Sequence, residues 1–174
     1  NAMLSDTVTP DDDWIFSRTG IKERHIAADE QAPSDLGAAA ARKAMEMAGV
    51  AAGDVDLVIV ATGTGDMQFP ATACIIQELL QLKNAAAFAI SAGCTGFVYA
   101  LSVGRQFIAS GVYQTVLIIG TEVISRVVDW DDPETCILFG DGAGAVVLQP
   151  TTPGFGLLAA KLGADGSGGK HLLM

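Results

Sequence analysis

The chain has 174 residues, 50% of them hydrophobic and 17% charged, which is enough apolar material for one substantial core and excludes a disordered segment. Ten Lys and Arg against 20 Asp and Glu give a formal charge of −10, which argues against nucleic-acid binding by phosphate neutralisation and favours small molecules or proteins as partners. No apolar run reaches the about 18 residues needed to span a bilayer, and no basic-then-apolar signal opens the chain, so no membrane role is expected.

After an opening Asn1-Ala2-Met3 that reads either as a tag remnant or as native sequence, Thr9-Pro10-Asp11-Asp12-Asp13 has the form of a helix start. It combines a capping hydroxyl, proline at the first helical position and acids that suit the positive end of the helix dipole. Trp14 and Arg18 follow one turn apart, and Gly20 is expected to stop the helix. Ser34-Asp35-Leu36-Gly37 opens a second helix whose Ala-rich body runs to Met47, with Gly49 as its C-terminal cap. Val55–Ala61 is a short apolar run bounded by turn signals, the pattern of a strand buried on both faces, and the same reading is applied to 86–90, 115–119 and 143–148. Helical segments at about 71–82 and 94–110 separate these runs. The resulting strand-helix alternation predicts a largely parallel sheet with helices on both faces. The turn-rich end, 163–174, has no expected helix or strand and reads as an interruption rather than a natural carboxyl terminus.

Cys74, Cys94 and Cys136 are an odd number without metal-ligand spacing, so neither a disulfide framework nor a metal site is expected, and a reducing cytosol fits. Cys94 stands out because it follows an apolar strand, begins a helix and lies between Gly93 and Gly96. Backbone N–H groups at a helix start favour a thiolate, flanking glycines leave room beside the sulfur, and the Cys94 amide is placed to donate to an oxyanion. The alternative is a small residue filling a tight corner. Cys74 and Cys136 lack this context and read as core. A cysteine nucleophile normally needs a partner base, yet His25 sits in a polar stretch and His171 in the ragged tail. Phe139-Gly-Asp-Gly-Ala-Gly144 lacks both the lysine of a phosphate loop and the strand-to-helix position of a dinucleotide fingerprint. It is expected to be a tight turn approaching another part of the site.

Four segments in order, "DDDWIFSRTGIKERHIA" (11–27), "FPATAC" (69–74), "SAGCTGFVYALSV" (91–103) and "LFGDGAGAVVL" (138–148), resemble 3-oxoacyl-[acyl-carrier-protein] synthase III, the ketoacyl synthase that starts type II fatty-acid synthesis. The resemblance implies a thiolase-like α/β fold, a mostly parallel mixed sheet covered by helices, and one half of a two-half fold. Residues 1–174 match the amino-terminal half without its opening strand, and the carboxyl-terminal half is absent. The implied chemistry is acylation of Cys94 by acyl-CoA, followed by condensation with malonyl-acyl carrier protein. No cofactor or metal is implied, the CoA thioester being a substrate. By position, Trp14 and Arg18 match residues contacting the CoA nucleotide, with Thr19 beside them. Phe139 matches a gatekeeping aromatic near the cysteine, and Phe69 a residue reaching the partner subunit's acyl pocket.

Two departures accompany the resemblance. Pro133 stands where the family often has an arginine against the adenine, and the family's catalytic histidine and asparagine belong to the second half. A cytoplasmic homodimer is implied, with self-association expected along the edge near Ala85 to Ser91. Alternatives are a related synthase of specialised metabolism, a non-catalytic half-length protein completed by a partner, and a cysteine hydrolase using Cys94 and His25.

Overall fold

The computed structural model describes residues 1, 4 and 12–171. In chain order the elements are α1 (Asp12–Thr19), α2 (Pro33–Ala48), β1 (Leu57–Ala61), α3 (Thr72–Leu79), β2 (Ala86–Ile90), α4 (Gly96–Ala109), β3 (Val116–Val123) and β4 (Asp141–Leu148). Short 3-10 turns occupy Ala52–Asp54, Gly93–Thr95, Ile124–Arg126 and Gly166–His171. The expected cap at Thr9, Pro10 and Asp11 lies outside the described residues.

The helices stop where backbone chemistry makes them stop. Helix α2 starts at Pro33, whose missing N–H is harmless there, and the Asp35 carboxylate accepts the Ala32 N–H at 2.8 Å. Gly49, at φ 66°, closes the helix by donating to the carbonyl of Glu46 at 3.1 Å.

The sheet has the order β2-β1-β3-β4, with β2, β1 and β3 parallel and β4 antiparallel to β3. Strand β1 is central and buried at every position, so both of its faces are apolar. Val58, Val60, Leu117 and Ile119 face α2 and α3, while Leu57, Ile59, Val116 and Ile118 face α4. Helix α4 lies close to the sheet because Gly104 has no side chain. A Cβ there would stand 2.8 Å from Ile118 Cδ1 and 3.1 Å from Leu148 Cδ1. A third cluster, Ile15, Cys136 and Ile137, joins α1 to the turn that precedes β4.

Three expectations need correction. Burial on both faces holds for β1 and most of β3 but not for β2 or β4, which are the edge strands and stay partly exposed. The Gly-rich run at 139–144 is not a tight turn, because Asp141 to Gly144 pair with Gly120 to Val123 as the first half of β4. The tail is not without a helical turn, since Gly166–His171 forms an exposed 3-10 turn.

Candidate active site

In a parallel sheet the strand ends that point the same way form one rim, and loops leaving that rim are free to carry chemistry. Here the carboxyl ends of β1, β2 and β3 all lead to one place. From Ile90 the chain passes through Ser91 and Ala92 to Gly93, whose φ of +55° turns it sharply before α4. Cys94 therefore sits in the 3-10 turn just ahead of α4 and is exposed. It opens onto a cavity of about 750 Å³ whose wall includes Ala61 at the end of β1, Thr64 in the loop after it, Phe97 on α4, Glu122 on β3, and Phe139 before β4.

Two half-buried carboxylates, Glu122 and Asp141, brace this rim. The Glu122 carboxylate accepts the N–H groups of Gly63 at 2.7 Å and Thr64 at 2.9 Å, together with the Thr62 and Thr64 hydroxyls. Asp141 accepts the Ala27 N–H at 2.7 Å, the Ser125 N–H at 2.8 Å and the Ser125 hydroxyl at 2.6 Å. Burial pushes the Asp141 carboxyl up, but those bonds and the nearby Arg126 outweigh it and hold it below the usual carboxylate value. The Arg24 guanidinium donates from Nε to the Ile137 carbonyl at 2.9 Å, which anchors the chain two residues before Phe139.

Of the expected site residues, Cys94 and Phe139 are brought together on one cavity. Trp14, Arg18 and Thr19 lie on α1 and do not line that cavity. The Arg18 guanidinium carbon stands 5.3 Å from the Trp14 ring centroid, a cation–π contact on a surface where Trp14 is 40% exposed, so Trp14 is not a core anchor. Thr19 turns inward to close the helix, its hydroxyl donating to the Ile15 carbonyl at 2.7 Å and accepting the Ile21 N–H at 3.0 Å. Phe69 is 88% exposed and does not line the cavity, so it is not core either. Pro133 lies in the turn-rich stretch before β4 beside Asp132, whose carboxyl is held low by the Thr135 hydroxyl and the Glu134 N–H.

The remaining candidates separate cleanly. Cys136 is fully buried, and burial pushes its thiol above the ordinary value, with Asp132 adding and Arg24 opposing. Cys74 is half-buried. His25 and His171 are exposed and neither lines the Cys94 cavity, so no histidine among the described residues stands ready as a base for that thiol. No group of side chains suited to hold a metal ion is present among the described residues. No helix among them is long and apolar enough to cross a membrane.

Glu122 and Thr64 escaped the sequence reading. The available signal was an acid directly after a buried strand run, Val116-Leu-Ile-Ile-Gly-Thr-Glu122, where an ordinary strand would turn polar at a loop. Its partners, 58 to 60 residues away, are adjacent only because β1 and β3 pair.

Known proteins share both sequence and fold with this chain. Residues 88–166 match the family described as 3-oxoacyl-[acyl-carrier-protein (ACP)] synthase III. The beta-ketoacyl-[acyl-carrier-protein] synthase III of Caldanaerobacter subterraneus subsp. tengcongensis is 52% identical over 174 residues, covering 100% of this chain and 53% of that protein. The Bacillus pumilus protein of the same name is 52% identical over 174 residues, covering 100% of this chain and 56% of its own length. The chain thus spans about half the length of the curated relatives it matches. Among solved structures, beta-ketoacyl-[acyl-carrier-protein] synthase III from Thermus thermophilus superposes with a TM-score of 0.93 at 42% identity, covering 99% of this chain and 54% of that one. The priming beta-ketosynthase of the R1128 polyketide pathway superposes with a TM-score of 0.82 at 38% identity, covering 85% of this chain and 44% of that one. The chain thus has a thiolase-like α/β fold and, along its whole length, resembles 3-oxoacyl-[acyl-carrier-protein] synthase III over about half the length of those proteins.

Proposed function

We propose that this chain is the amino-terminal, nucleophile-bearing half of a condensing enzyme that initiates type II fatty-acid synthesis, with Cys94 carrying the acyl group. The observation that supports the reading is the exposed Cys94 thiol, set between a sharp glycine turn and α4 at the mouth of the cavity. In the first step the Cys94 sulfur attacks the carbonyl carbon of an acyl-CoA thioester, the carbon–sulfur bond to CoA breaks, and CoA leaves as the thiol with the proton that Cys94 gives up. In the second, the malonyl thioester on acyl carrier protein loses CO2, and its α-carbon attacks the Cys94 thioester. That forms the new carbon–carbon bond, and Cys94 returns as a thiol after taking up one proton.

The chain's own residues supply the nucleophile, the N–H of Cys94 as an oxyanion donor, and the Phe97 and Phe139 faces that shelter an apolar acyl group. The Trp14–Arg18 pair is the proposed platform for the CoA nucleotide. Beyond the CoA thioester as substrate, this chemistry needs no cofactor. Decarboxylation builds charge on the extender's thioester oxygen, and a preorganised donor is worth about 3 kcal/mol there. Because neither His25 nor His171 reaches the cavity, those donors are assigned to residues outside this chain. Residues 1–174 alone are accordingly expected to accept an acyl group and to stall before condensation.

The outer edge of β2, with its small apolar Ala86, Ala87 and Ala89, supports assembly as a homodimer, and the chemistry suits the cytoplasm. A related synthase of specialised metabolism remains the second reading, favoured by the likeness to the R1128 priming enzyme. Intact-protein mass spectrometry after incubation with acetyl-CoA and longer acyl-CoAs tests the proposal. A stable thioester on Cys94 that disappears in Cys94→Ser is expected. Absence of any adduct, or turnover to free acid, overturns it.

A further inference from the structure

We propose that Glu122 is a positioning residue whose carboxylate fixes the Thr62–Thr64 loop as one wall of the Cys94 cavity, and that this fixed wall limits the length of the acyl group placed beside the thiol. The limit on acyl length rests on the acyl-carrier reading of Cys94; the clamp itself does not.

Strand β1 ends at Ala61, opposite Gly120, whereas β3 runs on to Val123, paired over its last three residues with β4 alone. Past Ala61 the chain turns away into a glycine-containing loop, and the N–H groups of Gly63 and Thr64 lose the strand carbonyls that would have received them. Glu122 reaches over the end of β1 and supplies the acceptors. Its Oε1 takes the Gly63 N–H, and its Oε2 takes the Thr64 N–H and both threonine hydroxyls. Thr64 Oγ1 in turn accepts the Val123 N–H at 2.9 Å, so the loop is tied to both side chain and backbone of β3. Bonds to an ionised acceptor are roughly twice as strong as neutral ones. A carboxylate holding four donors is committed to them, which makes it a clamp and not a proton acceptor for a substrate.

Gly63, Thr64 and Glu122 all face the space that Cys94 enters. Moving this wall changes how far an alkyl chain extends from the sulfur. Each methylene admitted to an apolar site changes a relative rate by roughly fourfold.

The test uses N-alkyl iodoacetamides from methyl to octyl, which alkylate a thiol whatever the enzyme's natural reaction, with acyl-CoAs of matched length in parallel. Labelling of Cys94 is followed by peptide mapping in the intact protein, in Glu122→Gln and in Thr64→Val. Exchange of the Gly63 and Thr64 amides is measured alongside. In both variants those amides are expected to exchange faster, and the ratio of octyl to methyl labelling to rise by roughly fourfold. A general loss of structure would slow or speed all chain lengths alike, so the ratio isolates the wall. Should Glu122→Gln fail to fold, Thr64→Val carries the same test, because it removes one donor and the link to Val123 while keeping shape. An unchanged length profile overturns the proposal, whether or not amide exchange quickens. A wild-type protein that alkylates but never acylates refutes the acyl-carrier reading while the alkyl series still decides the clamp.

Discussion

Replacing Asp141 with Asn probes the joint on which the rim depends. Asp141 lies where β4 begins, and one carboxylate there receives Ala27 from the irregular stretch after α1 and Ser125 from the turn after β3. Its own N–H donates to the His25 carbonyl at 2.8 Å, so three chain segments meet at this residue. An Asn side chain offers one oxygen in place of two. If that oxygen takes the Oδ2 position it keeps Ala27 and the Ser125 hydroxyl but turns an NH2 toward the Ser125 N–H; the opposite flip turns it toward Ala27. Either way one backbone N–H is left facing a donor, a loss of about 2 kcal/mol, which corresponds to a fall in Tm of roughly 4–8 °C for a domain of this size. The pH dependence has a defined sign. The folded carboxyl titrates below its unfolded value of about 3.9, so its contribution is complete above about pH 4 and is lost as pH falls through the lower folded value. Urea unfolding of wild type and Asp141→Asn from pH 3 to pH 7 should therefore show a gap that is constant near neutrality and narrows at the acid end. Equal midpoints at pH 7, or a gap that widens toward acid, would refute the reasoning.

Two further outcomes follow from burial. Iodoacetamide at neutral pH should label the exposed Cys94 first, the half-buried Cys74 more slowly, and Cys136 only on unfolding, because Cys136 is sealed and its thiol is held protonated; peptide mapping that finds Cys136 labelled as fast as Cys94 in the folded protein contradicts this. Ile118→Ala removes a fully buried side chain from between the sheet and α4 and should cost about 3 kcal/mol in urea unfolding, a loss below about 1 kcal/mol showing that α4 does not seat as described.

The local rules written into the sequence settled most elements directly. Gly49 ends α2 as expected, because it adopts a φ that side chains resist, while the helix begins at Pro33, one residue before the expected Ser34, since a first turn does not use the N–H that proline lacks. The one-turn spacing of Trp14 and Arg18 places the cation over the ring. The glycine before Cys94 marked the turn that exposes the thiol, since only a residue without a Cβ turns there without strain. Other features depended on which strand lies beside which, information that no local window contains. An apolar run is the same whether its strand ends up central, as β1, or at an edge, as β2 and β4, so periodicity alone assigned burial to all of them. The glycines of 139–144 suggested a turn, yet pairing with β3 draws them into an antiparallel strand. Glu122 became visible only in three dimensions: β3 outruns β1, and the amides stranded at the shorter strand's end need an acceptor that the neighbouring strand's side chain provides.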